Sequence, residues 1–530
     1  MSKDKAASFD KMFNLPNPGL EAYFGRVRKG NDEEYRTTFY KGKSVTNVLK
    51  GWKGTIDKIE NSWPSLLEYE NDLAKKVGPM SLMKPLKERI TDIDSYYESI
   101  LLDSKPISST AVAAVVKEWS KVRGLEIRSQ MRTMELMKKS TNSGSPYFTK
   151  RRAVVDKTLP TKLEYLGVDT KQFLNGMEYY CTAVLGWRGQ EGGPTWDDVK
   201  QRVVWMFPFG VNLCELQVYQ PAIEQAQKFN LVPAWVSMES VDQRVTKLFD
   251  TKGPKDLIIC TDFTKFDQHF NSDMQDAAYN ILSKLLNNNE ASCQWLANVF
   301  PVKYAIPLAY DYDKVRRGYH GMGSGSGGTN FDETIVHRAL QYEAAQSQNK
   351  RLNPNSQCLG DDGILSYPGI NVEDVVESYS KHGQVMNEAK QYESTDDCTY
   401  LRRWHHKDYR EDGVCVGVYS TYRALGRLCE QERYYDPKVW GPKMVALRQL
   451  SIIENCKYHP LREEFLRYCM KGDKYRLGLD IPGWLDDIDT FARTANDLMP
   501  DFVGYTKSLQ KDVDKGISSW WVVKTLKSMR

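Results

Sequence analysis

Ser356-Gln357-Cys358-Leu359-Gly360-Asp361-Asp362-Gly363-Ile364-Leu365-Ser366 is the stretch on which the reading of this chain turns. Two adjacent carboxylates stand between two short apolar runs, which predicts a strand, a tight turn and a second strand. The turn carries both acids to the tip of a hairpin, within reach of a common cation. Carboxylates this close repel each other and stay ionised together most easily when a metal or a basic group offsets them. Alone, Gly360-Asp361-Asp362 decides little: it arises by chance in roughly one chain in ten of this length, and a solvated Asp-Gly hairpin turn is common. Its meaning depends on what lies elsewhere in the chain.

The 530 residues exceed one compact core, and about three or four domain-sized units are expected. Hydrophobic residues make up 41% and charged residues 27%, an ordinary globular balance, while aromatics reach 12%. Aromatic faces stack on bases, but most of these rings are expected to pack cores. No run of about 18 apolar residues occurs, so no membrane span is expected. Met1-Ser2-Lys3-Asp4-Lys5 has no apolar core behind it and does not read as a secretory signal. Ten cysteines lie between Cys181 and Cys469 without a Cys-x-x-Cys pair, which suits reduced thiols rather than disulfides or zinc. His405 and His406 are adjacent and point apart on a strand, which argues against a shared metal. A net charge of +4 does not mark a nucleic-acid binder; a protein that handles nucleic acid in a channel needs only local basic walls.

Residues 1–60 are polar and read as an arm that wraps other parts. The stretches Lys84 to Leu101 and Ser109 to Met137 carry helical apolar spacing. Leu257-Ile258-Ile259-Cys260 reads as a buried strand, and Ser272 to Leu286 as a helix with Ser272 as its N-cap. The segment from Thr329 to Gln346 has helical periodicity, and helical signals return after about residue 425. A sheet domain flanked by helical regions is expected.

Asp262 closes the apolar strand, where an acid points into the crevice at which such sheets bind ligands. Asp267 follows in Asp262-Phe263-Thr264-Lys265-Phe266-Asp267. If this strand neighbours the hairpin, Asp262 and Asp361 face each other, and two oxygen-ligated Mg²⁺ ions about 4 Å apart suit such a pair. The Gly-rich run Gly321 to Gly328 leads into the helix at Thr329; its glycines permit close backbone approach and the helix start offers N–H groups. No Gly-Lys-Ser/Thr follows, so an ATPase reading fails.

Asp262-x4-Asp267, Ser324-Gly325-x3-Thr329 and Gly360-Asp361-Asp362, in this order, resemble motifs A, B and C of viral RNA-dependent RNA polymerases. Lys390 in Asn387-Glu388-Ala389-Lys390 resembles the motif D lysine, and Thr399-Tyr400-Leu401-Arg402-Arg403-Trp404 the primer grip of motif E. Lys200-Gln201-Arg202-Val203-Val204-Trp205 is similar to the basic finger strand of motif F. Thr141-Asn142-Ser143-Gly144-Ser145-Pro146 is similar to motif G at the template entry. The likeness spans about residues 141 to 405 and is greatest to the polymerases of picobirnaviruses, then of partitiviruses.

The resemblance implies an α+β right-hand fold with an RRM-like antiparallel palm sheet and largely helical fingers and thumb. It places an arm bridging fingers and thumb at 1–60, fingers at 61–250, palm at 251–270, a fingers insertion at 271–315, palm at 316–415, and thumb with the C-terminal segment at 416–530. It implies replication and transcription of a double-stranded RNA virus genome by two-metal nucleotidyl transfer, with primer-independent initiation. Asp262 and Asp361 would hold two Mg²⁺ ions, for which Mn²⁺ is a substitute, with Asp362 assisting and Lys390 as general acid toward pyrophosphate. Lys200 and Arg202 would contact the triphosphate. Asp267 would read the ribose 2′-hydroxyl, helped by Ser324 and Thr329. Where many relatives carry Asn four residues after the motif B threonine, this chain has Glu333, so either Asn330 or that acid serves. Ser143, Gly144, Pro146, Gly325, Arg402 and Arg403 would meet RNA. Template and product RNA, nucleoside triphosphates and a viral capsid protein are the implied partners, with no membrane, and the virion interior and host cytoplasm the implied location.

Ser518-Ser519-Trp520-Trp521, with Lys507, Lys511, Lys515, Lys524, Lys527 and Arg530 around it, reads first as an amphipathic closing segment. The alternative is a plug in the RNA exit channel whose aromatics hold the first nucleotide. Two other protein classes fit the sequence less well. A reverse transcriptase carries an aromatic residue where Gly360 stands and tends to block the 2′-hydroxyl that Asp267 would accept. A non-enzymatic, capsid-associated RNA-binding protein would not need Asp262, Asp361 and Asp362 intact.

Overall fold

The computed structural model describes residues 9–498 and 516–530. At its centre a four-stranded antiparallel sheet runs in the order Tyr392–Ser394, Ile258–Thr261, Asp362–Leu365, Gln357–Leu359. Strand Ile258–Thr261 is buried at every position, as an apolar run without alternation must be when both faces are covered. A smaller sheet of Asp397–Tyr400, Arg403–His406 and Val418–Tyr419 packs against the two central strands. The helix Thr329–Ser347 lies against Gln357–Leu359 and is buried around most of its circumference, which removes the one-sided apolar stripe of a surface helix.

The helix expected from Ser272 runs Ser272–Leu285, but its cap is Asn271, whose Oδ1 accepts from the N–H groups of Asp273 and Met274. The continuous helix expected over 109–137 divides into Ser109–Glu118 and Gln130–Leu136. The first helix ends at its C-cap Trp119, a short 3-10 turn follows at Ser120–Val122, Arg123 is already extended, and Gly124 has φ +87°.

A second four-stranded sheet joins the ribbon Ala183–Gln190 and Lys200–Met206 to Leu308–Asp311 and Lys314–Arg316. The N-terminal segment is more helical than its polarity suggests: Pro18–Lys29 is capped by Asn17 and Val45–Ile56 by Ser44. Its two halves enter different cores. Phe9, Met12, Phe13, Leu20 and Phe24 pack with Val184 and Ala309. Phe39, Val48, Trp52 and Ile56 pack with Tyr422, Leu425, Leu428 and Phe465.

No core boundary falls at residue 61. Leu66 on the helix Pro64–Ala74 continues the second of these cores. Glu70, fully buried on that helix, accepts from the N–H groups of Thr421 and Tyr422 and from the hydroxyls of Ser420 and Thr421. The C-terminal helix Trp521–Ser528 docks on the same core through Val522, Val523 and Leu526, with Glu454 accepting from Trp521 N–H and Val522 N–H. Lys507, Lys511 and Lys515 lie outside the described residues.

Candidate active site

The predicted hairpin forms with Asp362 paired to Leu359, leaving Gly360 and Asp361 as the turn. Gly360 has φ +56°, which favours glycine. Strand Asp362–Leu365 pairs with Ile258–Thr261 through Gly363 and Thr261, so Asp262 emerges directly beside the hairpin. Asp262 and Asp361 are both exposed to the cleft. Asp267 is half-buried nearby, and Glu333 is buried on the helix behind.

These acids crowd one another. Although its side chain opens into the cleft, Asp361 lies deep among protein atoms, and this loss of surrounding water, and then Asp267, raise its pKa above the usual carboxylate range. Burial, and then Asp361, push Asp362 up to about 7. Glu333 is raised well above its ordinary value by burial first and then by Asp267, with which it shares a hydrogen bond, a shift that favours its protonated form. Among the described residues none of Asp262, Asp267, Asp361 and Asp362 forms an ion pair. One oxygen of Asp362 accepts from Leu401 N–H at 2.8 Å, which ties this acid to the smaller sheet.

Opposite stands the strand Lys200–Met206, whose alternation exposes Lys200 and Arg202 on one face. The Arg202 pKa is lowered, by burial first and then by Arg402 and Arg188, while Asp361 and Asp267 oppose the shift. Lys76, Lys200, Asp262, Asp362, Lys390 and Arg402 line one cavity of about 350 Å³.

The glycine loop before Thr329 is wedged against this basic strand. A Cβ on Gly325 would lie 1.6 Å from Trp205 O, so only glycine allows the approach. Ser324 Oγ accepts from Trp205 N–H at 3.3 Å, and Thr329 Oγ1 donates to Gly323 O at 3.1 Å. Asn212 Nδ2 donates to Gly325 O, and Glu215 accepts from Gly327 N–H and from Ser326 Oγ. The N–H groups expected to be free for a ligand at this helix start are therefore partly engaged within the protein.

Several expected contacts are not presented to the cleft. Arg403 is buried and forks onto Asp242 at 2.7 and 2.9 Å, where His405 also bonds; it is a core ion pair, and the RNA contact expected of it is withdrawn. Arg402 beside it is exposed. Ser143, Gly144 and Pro146 are buried: Phe209 N–H donates to Ser143 O, and a Cβ on Gly144 would meet Phe207 O at 2.6 Å. These three residues are therefore not on the surface of the loop, where Thr141 and Asn142 are the exposed residues. Asn330 accepts from Trp235 Nε1 at 2.9 Å, away from Asp267, so of the two motif B candidates Glu333 is the one that meets it.

A family model described as viral RNA-dependent RNA polymerase matches residues 114–415, more than half of the chain. The chain belongs to the viral RNA-dependent RNA polymerases. It is 62% identical over 528 residues, 98% of its own length and 99% of the relative's, to a potential RNA-dependent RNA polymerase of human picobirnavirus. Its structure matches the crystal structure of the RNA-dependent RNA polymerase of a human picobirnavirus with TM-score 0.95 at 61% identity, each chain covered in full. An insertion-loop deletion mutant of such an enzyme matches with TM-score 0.93 at 59% identity, again over both whole chains. The α+β architecture is that of a polymerase.

Viral polymerases of this family work with divalent ions, and this polymerase's carboxyls suit them. The donors are hard oxygens whose charge no lysine or arginine neutralises through an ion pair among the described residues, and burial and then a neighbouring acid raise the pKa of both Asp361 and Asp362. No group of three or more acidic, His or Cys side chains among the described residues is placed to hold an ion unaided, so water and substrate phosphates would complete the coordination, as is usual for Mg²⁺. Sequence reading passed over Gln391, which holds the backbone of Asp262, and Thr334 and His337, which hold that of Gly360. Glu333 carried a signal, since it departs from the family's Asn. The other three are neutral residues with no pattern of their own.

Proposed function

We propose that this polymerase replicates and transcribes a double-stranded RNA genome by two-metal nucleotidyl transfer, with Asp262 and Asp361 as the ligands. The observation that carries this is the convergence of those two acids from adjacent strand ends, unpaired by any described cation, across from Lys200 and Arg202. When bound, paired Mg²⁺ ions supply Lewis-acid stabilisation of the charge on the attacking and leaving oxygens. Asp362 assists with the oxygen that Leu401 leaves free. Lys200, Arg202 and Arg402 receive the triphosphate: arginine offers a planar fork to phosphate oxygens and lysine a point charge. Lys390, exposed in the same cavity, delivers a proton to the departing pyrophosphate. Asp267 accepts the ribose 2′-hydroxyl, the group that separates RNA from DNA precursors, and neutral Glu333 fixes its orientation. Ser324 and Thr329 shape the loop beneath the nucleotide.

In this reading the central sheet is an RRM-like palm, and the ribbon 183–206 with 308–316 belongs to the fingers. The helices after residue 420, together with residues 37–77, form the thumb side. The N-terminal segment bridges fingers and thumb, a role supported by its entry into two cores. Initiation is primer-independent, a capsid protein is the partner, and the enzyme works in the virion interior and host cytoplasm. No described helix is long and apolar enough to cross a membrane.

The test is template-dependent incorporation on single- and double-stranded RNA, with and without primer, by the parent and by Asp361→Asn. Loss of incorporation with retained folding and RNA binding is expected of the variant. Near-normal synthesis would remove the hairpin from the active site.

A further inference from the structure

One imidazole touches all three segments that carry the site's acids. His337 is fully buried on the helix Thr329–Ser347, and its Nδ1 lies 2.8 Å from Gly360 O. A carbonyl only accepts, so Nδ1 bears the hydrogen and Nε2 is the bare nitrogen. Thr334, three residues earlier on the same helix face, accepts from Gly360 N–H through Oγ1 at 2.9 Å. Both backbone polar groups of the glycine that starts the turn are thus gripped by one rigid helix, and Gly360 sits at φ +56° between them.

The rest of the ring faces the other acid-bearing segment. Phe263 meets it edge-on at 5.3 Å between centroids, and Phe266 lies at 6.2 Å. Both phenylalanines stand between Asp262 and Asp267. On the hairpin side, a Cβ on Gly363 would lie 2.6 Å from His337 Cε1, so strand and ring approach as closely as glycine permits. Rings of similar size would fill this volume. What imidazole adds is the hydrogen bond that ties the turn to the helix.

We propose that His337 is a positioning residue that, with Thr334, sets the separation of Asp361 from Asp262 and thereby the affinity of the site for divalent cations. The inference depends on those two acids being the ligands. A buried carbonyl left without its donor is destabilised, and the turn regains freedom at the position next to Asp361. Misplacement of about 1 Å at a reacting site costs on the order of a hundredfold in rate.

The experiment uses the full-length chain and four variants: His337→Phe, His337→Asn, Thr334→Val and Asp361→Asn. His337→Phe keeps an aromatic ring and removes the donor; His337→Asn returns an amide N–H near the place of Nδ1. The readouts are the Mg²⁺ concentration at half-maximal incorporation, KM for nucleotide, Tm, and Mn²⁺ binding without nucleotide followed by electron paramagnetic resonance. For His337→Phe we expect the metal requirement and the Mn²⁺ dissociation constant to rise about fivefold or more, with KM for nucleotide little changed. His337→Asn should recover most of that loss. Unchanged metal binding in His337→Phe, or equal impairment of His337→Asn, overturns the proposal. If His337→Phe does not fold, Thr334→Val decides: a raised metal requirement supports the proposal and an unchanged one overturns it. An active Asp361→Asn defeats the ligand assignment itself, whereas an inactive one beside a normal His337→Phe defeats only the positioning role.

Discussion

Gln391 clasps the main chain of Asp262 at both of its polar groups. Its Oε1 accepts from Asp262 N–H at 2.7 Å and its Nε2 donates to Asp262 O at 2.9 Å. Asp262 lies one residue past the last paired position of its strand, so a side chain takes the place of a ladder partner. Gln391→Ala should therefore lower single-turnover incorporation by about ten- to a hundredfold, while stability falls by only about 1–3 kcal/mol for the two lost bonds. Rapid-quench kinetics beside a melting curve checks this; a variant with parental rate would make the clasp dispensable.

Glu333 hydrogen-bonds to Asp267, and in the proposed function it orients that acid toward the sugar. Glu333→Gln keeps a neutral donor of the same length and should retain ribonucleotide selectivity. Glu333→Ala removes it, and preference for ribo- over deoxyribonucleotides should drop by about tenfold, the worth of one hydrogen bond to a charged group. Comparing kcat/KM for the two substrate classes decides it; equal selectivity in both variants would show that Asp267 needs no help.

Arg403 is the test of a structural rather than an RNA-binding role. Its removal strands Asp242, which Arg403 and then His405 hold down to about 2 against the opposing effect of burial. Arg403→Ala should cost about 3–5 kcal/mol, as breaking a buried ion pair does. Arg402→Ala should fold normally and weaken nucleotide use. Denaturant unfolding of both proteins separates the outcomes.

Glu430 introduces a pH dependence of stability. It is fully buried, and burial, then the neighbouring Glu34 carboxyl, push it from 4.5 up to about 9. The unfolded chain releases this proton above pH 4.5 while the folded chain keeps it until about 9. Its contribution is therefore complete below the first value and declines between the two, by up to about 1.4 kcal/mol per pH unit. Glu430→Gln is neutral at every pH, so its Tm advantage over the parent should grow between about pH 5.5 and 8.5. A constant difference would mean that this carboxyl titrates normally.

Strand 258–261 and the helices starting at Ser272 and Thr329 were legible because an unbroken apolar run and a 3.6-residue period are local signals. The division of 109–137 was not, because the helix stops at Glu118 and restarts only at Gln130, capped by Ser129, inside an otherwise helical pattern. Helix 64–74 reads like its sequence neighbours, yet Glu70 assigns it to a partner about 350 residues away.

The site shows the same division. Asp262, Asp267, Asp361 and Asp362 could be picked out from the chain, since paired acids at a predicted turn and an acid at the end of an apolar run are local patterns, and their order resembles motifs A and C of the family. Arg402 and Arg403 could not be told apart, because nothing local marks where the turn ends and the strand begins: Arg402 stands in the turn with φ +60°, while Arg403 opens the strand and meets Asp242 across 161 residues. By itself, then, the sequence determined which charged groups the reaction has at hand. Tertiary structure alone decided which of them face the cleft, which are neutralised in the core, and which uncharged residues hold the turn. Charge and periodicity belong to single residues and short segments, whereas burial and hydrogen-bond partnership exist only once distant segments meet.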